Sequence, residues 1–156
     1  MVNQIENNSM NEDEIQSMDL SFFLPGNQKQ VEVIKHPISK RFLDNDGNII
    51  PFIFKAIATE RIDAIEELNT RITNFKGRRQ ERVDYARFIA QVAVETTIYP
   101  DFSAADLRAA YKTEDPIEIA KKVLHVGGEY TNWIQKCSEI NGFDDTFEEL
   151  EESAKN

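Results

Sequence analysis

The chain has 156 residues, 40% hydrophobic and 29% charged, a mixture that suits one globular domain with a core of ordinary size. Its net charge of -10 is concentrated at the ends: residues 1–20 hold five acids and no base, residues 141–156 hold six acids against Lys155 alone, and residues 21–140 are balanced. Acidic ends repel nucleic acid, no stretch approaches the ~18 apolar residues of a membrane helix, and a lone Cys137 excludes an intrachain disulfide.

Residues 1–18 are rich in Asn, Glu, Gln and Ser. With so few apolar groups they are expected to form a disordered acidic extension ahead of a single domain over residues 19–156. They lack the basic start and apolar stretch of a signal peptide, so the expected location is the cytoplasm. Leu20, Phe22, Phe23 and Leu24 then form an apolar cluster stopped by Pro25-Gly26, which reads as a short helix or an anchor.

Residues 30–57 read as β structure. Val31 and Val33 alternate on one face of a first strand. Asp44-Asn45-Asp46-Gly47-Asn48 has the composition of a turn, with Gly47 free to take a positive φ. The segment from Ile49 to Ile57 follows with Phe52, Phe54 and Ala56 on one face, and Pro51 marks an edge or a strand start.

The remainder, about residues 59–154, reads as helices. Thr59 is the expected N-cap of a first helix whose stripe is Ile62, Ile65, Leu68 and Ile72, broken at Gly77. Tyr85, Phe88, Ile89, Val92 and Ala93 recur at helical spacing before Pro100. Ser103 with Asp106 resembles a capping box for a helix to about Tyr111. Asp115-Pro116 starts another that runs to about His125 and ends at Gly127-Gly128. Tyr130, Trp133, Ile134, Cys137 and Ile140 make the next stripe, closed by Asn141-Gly142. Phe143, Phe147 and Leu150 then lie on one side of a final acidic helix. The sum is an α+β fold, predominantly helical, with a small antiparallel hairpin or sheet packed on a bundle of five or six helices.

No constellation of acid, base and nucleophile is visible, so no enzyme is expected. The aspartate-rich turn fails as a calcium loop, because Ile49 and Lys55 stand where glycine and glutamate are needed. His36 and His125 are far apart with no cysteine at ligand spacing, and Cys137 lies on an apolar stripe. No metal or cofactor is therefore expected. The basic cluster of Arg71, Lys76, Arg78, Arg79, Arg82 and Arg87 is expected to span a helix end, a turn and a helix start, and to meet an acidic surface rather than nucleic acid.

Ser39-Lys40-Arg41-Phe42 runs into Asp44-Asn45-Asp46-Gly47, and Phe54-Lys55-Ala56-Ile57 precedes an acidic helix. Ile98-Tyr99-Pro100-Asp101, Ala105-Asp106-Leu107, Gly128-Glu129-Tyr130 and Glu139-Ile140-Asn141-Gly142-Phe143-Asp144 follow in sequence, and Phe147-Glu148-Glu149-Leu150 closes the set. This order of motifs resembles the XkdN-like family of phage tail assembly chaperones. The resemblance implies a non-catalytic protein of the host cell cytoplasm. It implies binding to the tape measure protein, with the tail tube protein as another partner, and absence from the mature virion. The residues expected to meet a partner are Phe143, Phe147 and Leu150 on the acidic helix and Arg78, Arg79 and Arg82 in the basic cluster. A structural tail component and a small regulatory or nucleic-acid-binding module are the competing readings.

Overall fold

The alternation of Phe52-Ile53-Phe54-Lys55 makes a half-buried strand, and this strand organises the fold. The computed structural model describes residues 9–143. It divides the chain into two units, Met1–Gln30 and Val31–Asn156, where the sequence places a boundary after residue 18.

In the first unit, Glu12–Gln16 form a single-turn helix, α1, capped by the Asn11 side chain, which accepts the Glu14 N–H at 2.8 Å. Disorder was the expectation for these residues. Three acids in the first turn favour the helix through its dipole. Ser21–Phe23 form one 3₁₀ turn.

In the second unit, β1 (Val33–His36), β2 (Phe52–Lys55) and β5 (Thr97–Tyr99) form an antiparallel sheet in the order β1-β2-β5. Pro51 lies just before the central strand, so its missing N–H removes nothing from the ladder. The register slips between Ile53 and Phe54: Ile53 faces Tyr99 and Phe54 faces Thr97. Between β1 and β2 the aspartate-rich segment forms the expected turn. Asp44 Oδ1 accepts the N–H groups of Asp46 and Asn48, each at 2.9 Å, and Gly47 takes φ 81°.

The helices are α2 (Thr59–Leu68), α3 (Tyr85–Thr96), α4 (Ala105–Tyr111), α5 (Pro116–Val123) and α6 (Gly127–Ile140). Asp115 caps α5 as expected, its carboxylate accepting the Ile117 N–H at 3.0 Å with Pro116 in the first turn. Three expected boundaries move. The chain leaves β2 extended through Ala58, so Thr59 is already helical and caps nothing. Ser103 gives its N–H to Asp101 Oδ1 at 2.9 Å in a turn, and α4 starts after Ala104 instead. Gly127 and Gly128 do not end α5, which stops at Val123. They open α6, where Glu129 Oε1 reaches back to the Val126 N–H at 3.3 Å.

The largest correction lies between α2 and α3. Residues expected to be a helix end and a helix start form a hairpin, β3 (Thr70–Phe75) and β4 (Arg78–Val83). Lys76 and Gly77 both take positive φ, 50° and 74°, the geometry of a two-residue hairpin turn. Ile72, assigned to the helical stripe, therefore stands exposed on a strand. The base of the hairpin is tied down by Asn69, which is buried. Its carbonyl accepts the Asp84 N–H at 2.8 Å and its side chain donates to Gln91 Oε1 at 2.9 Å.

The core lies between the sheet and α3, α5 and α6. Phe54, Trp133, Phe102 and Ile119 are fully enclosed. Trp133 packs edge-on to Phe102, centroids 5.4 Å apart, and its Nε1–H donates to Thr97 Oγ1 at 2.8 Å. Burying each such aromatic contributes on the order of 2–3 kcal/mol.

Candidate partner-binding surface

Cys137 is enclosed beside Thr97, and burial pushes its thiol up to about 12, away from the reactive thiolate. His36 is on β1, and His125 lies between α5 and α6 with Nδ1 3.4 Å from Arg41. Among the described residues no three His, Cys, Asp or Glu side chains are grouped to hold a metal.

Arg41 has the most elaborate contacts. Its Nε donates to Glu129 Oε2 at 2.8 Å and its NH2 to Oε1 at 2.6 Å, a bidentate pair. Ser39 Oγ donates to the same carboxylate, and Arg41 NH2 reaches the Val123 carbonyl at 3.3 Å. The guanidinium, with Ser39 and the Val126 N–H, pulls Glu129 down from 4.5 to about 2. Ser39-Lys40-Arg41-Phe42 is thus a clasp that joins the segment after β1 to the α5–α6 junction, and the Phe42 ring packs at a tilt against Phe52, centroids 6.0 Å apart.

The expected partner residues separate. On the hairpin, cross-strand register puts Arg71 opposite Arg82 and Phe75 opposite Arg78. Arg71, Arg78 and Arg82 share one face with Phe75, and among the described residues no carboxylate pairs with these three arginines. Arg79 falls on the other face, 3.5 Å from Glu81. That second face borders an open groove of about 490 Å³ lined by Asp63, Glu66, Glu67, Thr70 and Ile72. Phe143 is half-buried against the core, and its N–H donates to the Ser138 carbonyl at 2.9 Å, ending α6. It packs on the core with part of its ring still exposed. Phe147 and Leu150 lie outside the described residues.

Exposed apolar groups stand elsewhere. Leu20 is 73% exposed, Phe22 70% and Phe23 76%, all in the first unit. The apolar cluster there was visible in the sequence, but its exposure was not. In the second unit Val33, Ile72, Phe75 and Tyr99 are exposed. Isolated apolar groups at a surface are ordinary, but a run of four large ones within five residues is not.

Over residues 20–155 the chain matches the family described as Phage XkdN-like tail assembly chaperone protein. It is 62% identical over 139 residues to the uncharacterised protein YqbN of Bacillus subtilis (strain 168), covering 88% of this chain and 93% of that one. It is 61% identical over 139 residues to the phage-like element PBSX protein XkdN of the same strain, covering 88% and 94%. The crystal structure of YqbN superposes with a TM-score of 0.73 at 57% identity, covering 81% of this chain and 98% of that one.

Proposed function

Because the chain belongs to the XkdN-like family of phage tail assembly chaperones, we propose that it binds the tape measure protein and keeps it soluble while the tail tube forms around it. It acts in the host cytoplasm, without catalysis or cofactor, and leaves before the virion is complete. The tail tube protein is a second partner.

The observation that carries this reading is the exposed apolar run Leu20, Phe22, Phe23 and Leu24 in a chain of net charge -10. A chaperone for an apolar helical client needs both: apolar groups to contact it and like charge to keep the complexes apart. Among the described residues no helix is long and apolar enough to cross a membrane.

Co-expression with the tape measure protein of the same gene cluster tests the reading. The client should move from the pellet to the soluble fraction and co-purify with this chain. A client equally insoluble with and without it sinks the proposal. The competing reading, a structural tail component, predicts stoichiometric amounts of this chain in purified virions, where a chaperone should be absent. The arginine face of the hairpin keeps a nucleic-acid reading in view. It requires retardation of nucleic acid at low salt, and none is expected.

A further inference from the structure

The chain holds eight arginines. Arg41, Arg61, Arg79, Arg87 and Arg108 each have a carboxylate within 3.5 Å. Arg71, Arg78 and Arg82 have none among the described residues, and these three stand together on one face of the β3–β4 hairpin. Strand alternation completes that face. Arg71 is opposite Arg82 near the base, Thr73 opposite Gln80 in the middle, and Phe75 opposite Arg78 at the tip. All six are exposed, and Lys76 Nζ lies 5.5 Å from the centre of the Phe75 ring. Glu81, the one acid of the two strands, belongs to the other face and pairs with Arg79.

Unmet cations on one face disfavour the free hairpin, because Arg71 and Arg82 repel each other across the ladder. Guanidinium groups match carboxylates in bidentate pairs. The row at the base and the row at the tip are four residues apart, ~13 Å along a strand, close to the ~11 Å of two helical turns. Carboxylates two turns apart on a helix therefore meet both rows, and an apolar side chain of the same helix reaches Phe75. A nucleic acid suits the face less well. Its phosphates continue past the patch, and the groove on the other side of the hairpin presents Asp63, Glu66 and Glu67. A peptide can end its charge where the arginines end.

We propose that the hairpin face of Arg71, Phe75, Arg78 and Arg82 is the docking surface for an acidic helical segment of the client. The proposal rests on the reading that this chain binds the tape measure protein. Arg79, on the other face, takes no part. The contact is exposed and largely ionic, so it is reversible and weakens with salt. A carboxylate between Arg71 and Arg82 removes their repulsion, so the hairpin firms as the client binds.

The probe is a fluorescent peptide of about 20 residues, ~30 Å as a helix, taken from the most acidic helical stretch of the tape measure protein of the same gene cluster. Its anisotropy is read against the full chain. The triple variant Arg71→Gln/Arg78→Gln/Arg82→Gln should weaken binding roughly tenfold to a hundredfold, and Arg79→Gln by less than about twofold. Salt near ~1 M, where the screening length is ~3 Å, should release the peptide. Amides of residues 70–83 in the wild-type chain should exchange more slowly with the peptide bound, which a variant that merely misfolds cannot imitate. If wild type solubilises the co-expressed client but does not bind the peptide, or binds it with no effect of the triple variant or salt, this site is wrong and the proposed function stands. If wild type fails to solubilise the client, the proposed function falls and this site with it. Retardation of nucleic acid, or concentration-dependent self-association, that the triple variant abolishes also overturns the proposal, because the occupant would then be a polynucleotide or a second copy.

Discussion

Glu129 shows what a single residue contributes here. It is buried, accepts bonds from Arg41, Ser39 and the Val126 N–H, and so holds two parts of the chain distant in sequence. Removing its charge leaves Arg41 without its carboxylate, and Glu129→Gln should cost about 2 kcal/mol by denaturant unfolding near neutral pH. Its pKa is depressed on folding, from 4.5 to about 2. The contribution is therefore complete above about 4.5 and is lost as pH falls toward 2. The gap between wild type and Glu129→Gln should narrow over that window, and a gap that stays constant to pH 2 would contradict the clasp. Cys137 makes the opposite case, a reactive group silenced by burial. With its thiol pushed to about 12, alkylation at pH 8 should run on the order of a thousandfold slower in the native protein than in urea. Comparable rates would mean that the site opens readily.

Among the elements, the β3–β4 hairpin is the least supported. Its strand residues are almost all exposed, a two-stranded ribbon is marginal in water, and Arg71 opposes Arg82 across it. Asn69 and Val83 anchor only its base. Gly77 at φ 74° holds the turn, so Gly77→Val should destabilise the hairpin by about 1 kcal/mol or more. The loss should be local: amides of residues 70–83 should exchange faster in hydrogen–deuterium exchange while the melting temperature moves little. A large fall in melting temperature would show that the hairpin is integral to the core. An arm that yields without unfolding the body suits a surface that adapts to a client.

At the scale of the molecule, charge and apolar exposure are distributed unequally. Each end of the chain is acidic, and only residues 144–156 combine the acids with regularly spaced Phe147 and Leu150. Deleting residues 144–156 should reduce the soluble yield of co-expressed tape measure protein, or the stability of this chain, far more than deleting residues 1–18. Soluble client, measured by fractionation, and melting temperature together decide it. The reverse order would mean that the acidic start performs the solubilising role.

Much of the architecture was legible in the sequence because local rules set it. Alternation put Phe52 and Phe54 on one face, turn chemistry fixed Asp44 to Asn48, and Asp115-Pro116 opened a helix. The 3.6-residue stripe of Trp133, Ile134 and Cys137 placed α6 in the core. The ordered motifs also carried the resemblance to the family. Other features depended on partners distant in the chain. Ile72 fits the spacing of a helix, but Asn69 bonded to Gln91 ends α2 early and lets Lys76-Gly77 close a hairpin. That one change split Arg78 and Arg82 from Arg79, which no spacing along a helix would reveal. Phe143 packs half-buried on the core for the same reason, since the backbone turn after α6 decides which way it faces. Short-range pattern and turn chemistry determined the elements, whereas side-chain bonds across tens of residues decided which apolar and basic groups remain free for a partner.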